Sequence, residues 1–402
     1  MIAAPIVAAF LAAGTPPSEA LVLEPLTSPC GPKSELPHLV ALPGGGVAMS
    51  WVEREGPTAG TMKVAIRAGE DWGAPRTVLQ ADDLFLNWAD FPSVQVLEGG
   101  AMMAHWLRKT GEGYAYGVEF TVAASALAPW SAPRWLHEDR SPTEHGFVSI
   151  APVDRDTFGA LWLDGRQMAG AEHGEHGGGE MALYFRTVEA NGELGEEVLL
   201  DARVCDCCQT SLAQVGGGDL VATYRDRSAE EIRDVSSVRR EGGAWSRPTS
   251  VHDDGWLMPG CPVNGPRTAV RGGLEATAWY TGVGEGGGSV LLAFREAGEE
   301  TWSAPIDVDD GLPVGRVDLL FADDTSVLVA WLEAGASAST ATWRVRRVQR
   351  DGELGDALDL AEVPNERSSG FLRMAREGDD AVLAWTAAAP ERGVRLARVS
   401  WR

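Results

Sequence analysis

Short runs of alternating apolar and polar residues fill this chain, and each run is cut off by Gly, Asp or Pro. A period of two over five to eight residues, with no stretch repeating every three to four, predicts β-strands throughout and no helical layer. One apolar strand recurs: VAMSW ends at Trp51, MMAHW at Trp106, FGALW at Trp162, LVATY at Tyr224, EATAW at Trp279, VLVAW at Trp331 and AVLAW at Trp385. The gaps between these aromatics are 55, 56, 62, 55, 52 and 54 residues. A second signal is offset from the first: WGAP (72–75), WSAP (130–133), WSRP (245–248) and WSAP (302–305), with NGELGEEV (191–198) and DGELGDAL (351–358) in the equivalent place of two further repeats. Each period therefore reads as a weakly apolar strand, a tight turn such as PGGG or EGDD, the aromatic strand, a variable loop, an alternating strand, and the Trp-Ser-x-Pro strand.

Four strands per unit at a fixed period predict an all-β, seven-bladed β-propeller of four-stranded antiparallel blades, with a six-bladed ring as the alternative. The last repeat runs out after its third strand, at RLARVSWR (395–402). Residues 20–26, ALVLEPL, precede the first repeat and are expected to supply the missing strand beside 394–401, closing the ring and covering its edges. Before them, residues 2–13 form an apolar run too short to span a bilayer, followed by small residues and prolines. Residues 1–18 thus read as an export segment, although no Lys or Arg precedes the apolar run, and 19–402 as one propeller domain in the periplasm or outside the cell. No later stretch could be a transmembrane helix.

Composition sharpens this picture. Glycine (48 of 402 residues) and tryptophan (15) are abundant, as tight turns between strands require. Acids outnumber bases 58 to 34, for a net charge of -24, which excludes nucleic acid as a first reading because phosphate backbones would be repelled.

Propeller topology assigns the chemistry to one face. The short turns lie on one side, while the connections entering inner strands and the loops between second and third strands lie on the other, around the channel mouth. The unusual segments all fall on the latter: VCDCCQTS (204–211), the loop RDRSAEEIRD (225–234) after Tyr224, WLMPGCPVNGP (256–266), and GRQMAGAEHGEHGGGEM (165–181). Cys205, Cys207 and Cys208 enter blade four, Cys261 enters blade five, and Cys30 enters blade one. Three readings stay open for the cluster: disulfides that staple blade four to blade five, a thiolate site for copper or zinc helped by His173 or His176, and free thiols. Cys207 and Cys208 are adjacent, so only one is expected to face Cys261, and Cys30 is expected to stand apart. The remaining histidines are scattered and read as structural.

Arg225, Asp226, Arg227, Arg233 and Asp234 crowd one loop. They suit either a surface ion-pair lattice or a clamp for a carboxylate or phosphate. Tyr224 and Asn264 join them as candidate ligand contacts.

The repeated apolar strand, Gly-rich turn and Trp-Ser-x-Pro element resembles the BNR-repeat, sialidase-like propeller superfamily. VCDCCQTS, YRDRSAEEIRD and GCPVNGP together resemble a bacterial group of exported sialidase-like proteins. True sialidases imply six blades, an arginine triad for the substrate carboxylate, a Tyr/Glu nucleophile pair and an acidic proton donor. Here no Arg-Ile-Pro occurs near the start, and the Ser-x-Asp-x-Gly-x-x-Trp box survives only in degenerate forms such as REAGEETW (295–302). The expectation is a propeller that binds a ligand or metal at its mouth through blades three to five, without true sialidase activity and without three arginines converging opposite a Tyr–Glu pair. The alternative is a glycoside hydrolase for acidic sugars, with Arg225, Arg227 and Arg233 as clamps and Asp226 or Asp234 as acid/base. A second alternative is a propeller that docks a partner protein.

Overall fold

The computed structural model describes residues 20–169, 179–284, 286–388 and 392–401. Seven antiparallel sheets surround a channel, each led by an inner strand: Ser34–Ala41, Ser93–Val96, His145–Pro152, Ser211–Gly216, Arg267–Arg271, Pro313–Phe321 and Arg373–Glu377. Blade four carries one extra piece, because its outer strand is split into Ala244–Trp245 and Thr249–His252, both paired with Val235–Glu241. Among the described residues the only helical segments are two three-residue 3-10 turns. None is long and apolar enough to cross a membrane.

The ring closes as the missing strand requires. Leu21–Leu26 pairs with Gly393–Trp401 in the register Leu21 opposite Trp401 through Leu26 opposite Leu396, and so completes blade seven.

The seven periodic aromatics all sit in second strands and are buried, from Tyr224 and Trp162 at 0% exposure to Trp385 at 8%. Each fills the gap to a neighbouring blade, which is why the chain repeats them. A buried indole or phenol must place its polar tip, and a carboxylate takes it in six blades. Trp51 donates to Glu53, Trp106 to Glu119, Trp162 to Asp164, Trp279 to Asp254, Trp331 to Glu333, and the Tyr224 hydroxyl to Asp201. Part of the acidic excess thus works inside the walls between blades.

Inner strands enter the ring through bulges, between Glu35 and His38, Gly146 and Ser149, and Gly315 and Asp318. Leu36, Phe147 and Arg316 there hold φ of 57°, 52° and 57°, an uncommon conformation for residues with a side chain. Backbone held this way marks the mouth as over-determined by its surroundings.

Candidate functional site

Three segments meet at the mouth of blades four and five. The backbone N–H of Cys205 donates to the Arg225 carbonyl at 3.0 Å, tying the cysteine segment to the 225–234 loop. That loop is tied in turn to the entry of blade five. Arg233 N donates to Trp256 O at 2.9 Å and Met258 N to Glu231 O at 3.0 Å.

This framework gathers the thiols. The sulfurs of Cys205, Cys207 and Cys208 lie within 4.8 Å of one another, and Cys205 Sγ is 3.0 Å from Cys208 Sγ. Cys261 reaches the group through Cys207, whose thiol it contacts. Cys207 is the member of the adjacent pair that meets Cys261, but a turn at residues 206–207, not the alternation of an extended strand, sets this, and it keeps the Cys207 and Cys208 sulfurs on the same side. Cys205 and Cys208 are buried, Cys207 is half-buried and Cys261 is exposed, and all four are free thiols. Cys30 stands apart, packed on the blade-one side near Leu26 and Trp72, with burial pushing its thiol up to about 12.

The four thiols are electrostatically unequal. Burial disfavours charge on Cys205, but hydrogen bonds from Cys207 and Cys208 and the Arg233 guanidinium outweigh it and hold Cys205 well below the usual thiol range. Those same hydrogen bonds, with burial, keep Cys207 and Cys208 protonated well above it. The Cys207 thiol also holds Cys261 below the usual thiol range, so negative charge is favoured on Cys205 and Cys261 and disfavoured on Cys207 and Cys208. Deprotonated sulfur is the form that binds metal.

The other sequence candidates are mostly occupied in holding this framework. Arg225 is 1% exposed, donates to the carbonyls of Asn264, Arg233 and Tyr280, and stacks over Trp256 at 4.8 Å. Arg227 is gripped by Glu231 at 2.7 Å and faces Asp206 at 3.4 Å. Arg233 bonds Glu231 at 2.7 Å and leans on Cys205. Asp226 accepts from Arg227 N and Ser236, with burial raising its carboxyl. Asp234 accepts from the backbone N–H groups of Gly255 and Trp256. Tyr224 is a blade aromatic with its hydroxyl on Asp201, and Asn264 bridges blades five and six by bonding Val314 O and Arg316 N. These groups build the wall of the thiol site, and the carboxylate-clamp geometry is not found in this loop. His173 and His176 lie outside the described residues.

Two features escaped the sequence. The channel encloses a cavity of about 320 Å³ whose lining includes Arg267, Arg271, Arg373 and Arg376, from blades five and seven. A tyrosine between carboxyls is also present: the Tyr116 hydroxyl lies 2.9 Å from Asp90 Oδ2 and 2.7 Å from Glu144 Oε1. Four arginines thus line one cavity and a Tyr–Glu pair exists, but neither Tyr116 nor Glu144 is among the residues lining that cavity. Tyr116 is 1% exposed, so its oxygen is sealed from any ligand there. A single phenolic proton cannot serve two carboxylates. Burial accordingly pushes Asp90 up to about 7, and pushes Glu144 up to about 8 with Asp90, Cys261 and Asp206 as negative neighbours.

No family model matches the chain, and no curated protein does. Solved structures do. The chain is similar to an ulvan lyase of a new polysaccharide lyase family, at 11% identity, covering 94% of both chains with a TM-score of 0.54. It is similar to the endosialidase of phage phi92, at 9% identity over 96% of this chain and 70% of that one, TM-score 0.54. It is also similar to a protein of unknown function from Dyadobacter fermentans, at 12% identity over 80% and 97%, TM-score 0.50. Identities this low speak for architecture alone. With seven closed four-stranded blades and these neighbours, the chain is a β-propeller of the sialidase-like fold.

Proposed function

We propose that this propeller is an exported metal-binding protein that holds one thiophilic ion, copper or zinc, at its mouth, with Cys205, Cys207 and Cys208 as ligands and Cys261 as a reserve donor. The reading rests on one observation: three sulfurs from a four-residue segment lie within 4.8 Å of one another. A trigonal set of thiolates is soft-metal chemistry, and a fourth sulfur would complete the tetrahedron zinc prefers. Arg233 supplies the positive charge that offsets the clustered thiolates.

Hydrolysis of acidic sugars has less support. The arginines and aspartates named for it are spent on carbonyls, backbone N–H groups and Glu231. The test is to purify the chain anaerobically, load it with cuprous or zinc ion, dialyse, and count metal per chain. One ion per chain, lost in Cys207→Ser, supports the proposal. No retained metal, or release of sialic acid from an aryl sialoside that fails in Arg225→Ala, contradicts it.

A further inference from the structure

The seven blades share one more register. In each inner strand, one residue sits opposite the position just before the buried aromatic: His38, Ser93, Ser149, Ser211, Arg267, Asp318 and Arg373. All seven are polar, in strands otherwise rich in apolar residues. They form a belt at one height around the channel, and His38, Ser93, Ser149, Arg267 and Arg373 line the cavity.

The belt carries two guanidinium groups and one carboxylate, and the acidic residue lining the cavity, Asp90, has its oxygens taken by the Tyr116 hydroxyl and Phe147 N. Arg267 forms an ion pair with Asp318 at 2.8 Å through an Nε that makes no hydrogen bond, and Arg373 reaches the same oxygen only at 3.9 Å. Asp318 also accepts the N–H groups of Leu319 and Met374. Two guanidinium groups thus share one carboxylate, in a chain whose net charge is -24. Arg373 is 6% exposed, its Nε has no partner, and it lies over the Phe91 ring at 4.6 Å. On the adjoining inner strand of blade one, His38 Nδ1 is also buried without a partner. Burial, then Arg373 and Arg267, hold the His38 imidazole neutral. A buried donor left unmade costs about 1–3 kcal/mol, more when charged, so the Arg373 guanidinium calls for an acceptor, beside an imidazole nitrogen that is also unpaired.

The thiol-side entrance to this cavity is stitched shut. Trp88 of the blade-two entry stacks on Phe371 of blade seven at 5.9 Å, and Phe91 meets Phe371 at 6.0 Å. Arg316 of blade six covers Trp88 at 4.7 Å, and Gln209 of blade four donates to Ala89 O at 2.8 Å. At the other end the lining consists of half-buried residues beside the short turns, such as Val40, Val270 and Arg376.

The geometry points to a second binding site, in which a small tetrahedral oxyanion enters from the short-turn face and is held at the belt by Arg267, Arg373 and His38. Phosphate or sulfate, free or as the ester of a monosaccharide, shares the required chemistry, and guanidinium groups bind such oxygens strongly. The site is separate from the thiols and stands or falls without them.

Calorimetric titration of the full chain, in a low-salt buffer free of phosphate and sulfate, tests it. Inorganic phosphate, inorganic sulfate and glucose 6-phosphate are the three titrants. At least one should bind saturably, one per chain, and weaken tenfold or more in Arg267→Gln and Arg373→Gln. Arg344→Gln, outside the cavity and paired with Asp310 and Asp359, should stay within twofold, as should wild type after alkylation of its thiols. Preference for glucose 6-phosphate over the inorganic ions would identify the ester as the source. Arg267 is less buried than Arg373, so its variant decides if Arg373→Gln fails to fold. Absence of saturable binding to wild type with all three titrants overturns the site, and so does undiminished affinity in Arg267→Gln.

Discussion

Asp90→Asn changes one proton and little else. The introduced amide can still accept from Phe147 N, which bonds Asp90 Oδ1 at 2.8 Å, and can donate to the Tyr116 oxygen. In the wild type, burial pushes the Asp90 carboxyl from its ordinary 3.8 up to about 7, with hydrogen bonds from Tyr116 and Phe147 pulling back. The folded pKa is the higher one, so the folded chain holds a proton that the unfolded chain releases. Stability from this group is fully present below about pH 4 and is lost as pH rises through about 7. Each pH unit between the two values is worth about 1.4 kcal/mol, so the loss amounts to roughly 4 kcal/mol. The amide does not titrate and escapes it. Urea unfolding of both proteins at several pH values between 4 and 8.5 should show the variant gaining on wild type by up to about 4 kcal/mol towards the alkaline end. Distant titrating groups cancel in the difference, while Glu144, which the Asp90 charge helps raise, is relieved in the variant and adds to the gain in the same direction. Parallel stability curves across that range would refute the claim that Asp90 keeps a buried proton.

The same cluster predicts that Gly146→Ala is destabilising, because its Cβ would meet Asp90 Oδ2 at 1.9 Å and the Tyr116 ring at 2.8 Å; a melting temperature equal to wild type would contradict it. Removing residues up to Leu26 should strip six paired positions from blade seven and cost several kcal/mol at about 0.5–1.5 kcal/mol per hydrogen bond. The bared edge of Gly393–Trp401 should also promote self-association on a sizing column, and an unchanged monomer with unchanged melting would count against ring closure by this strand. Cys261→Ser should keep one metal per chain but weaken it, whereas Cys207→Ser should lose it; equal retention in both would show that the thiols do not share one ion.

What the sequence reveals follows from which forces repeat. The wall between two blades needs one large buried aromatic, so Trp51 to Trp385 recur and disclose the blades. The closing strand is legible because the last repeat lacks its partner. The belt of His38, Ser93, Ser149, Ser211, Arg267, Asp318 and Arg373 is also periodic, but it becomes visible only once the bulges fix which residue faces which. Asp90 and Glu144 come from the connections entering blades two and three and Tyr116 from the start of the strand Tyr116–Ala123, and no period announces that these three unlike places touch. Arg225 illustrates the opposite error. An arginine at a strand end beside a channel reads as a ligand clamp, yet here its guanidinium satisfies carbonyls of three crossing segments. Residue type alone does not separate those uses, because both rest on the same fork of donors.

The central claim is that sulfur from Cys205, Cys207 and Cys208 binds a metal ion. X-ray absorption at the metal edge of the zinc-loaded chain tests it most directly. The account predicts three or four sulfur neighbours at about 2.3 Å from the ion. A first shell of nitrogen and oxygen alone, at about 2.0–2.2 Å, would contradict it.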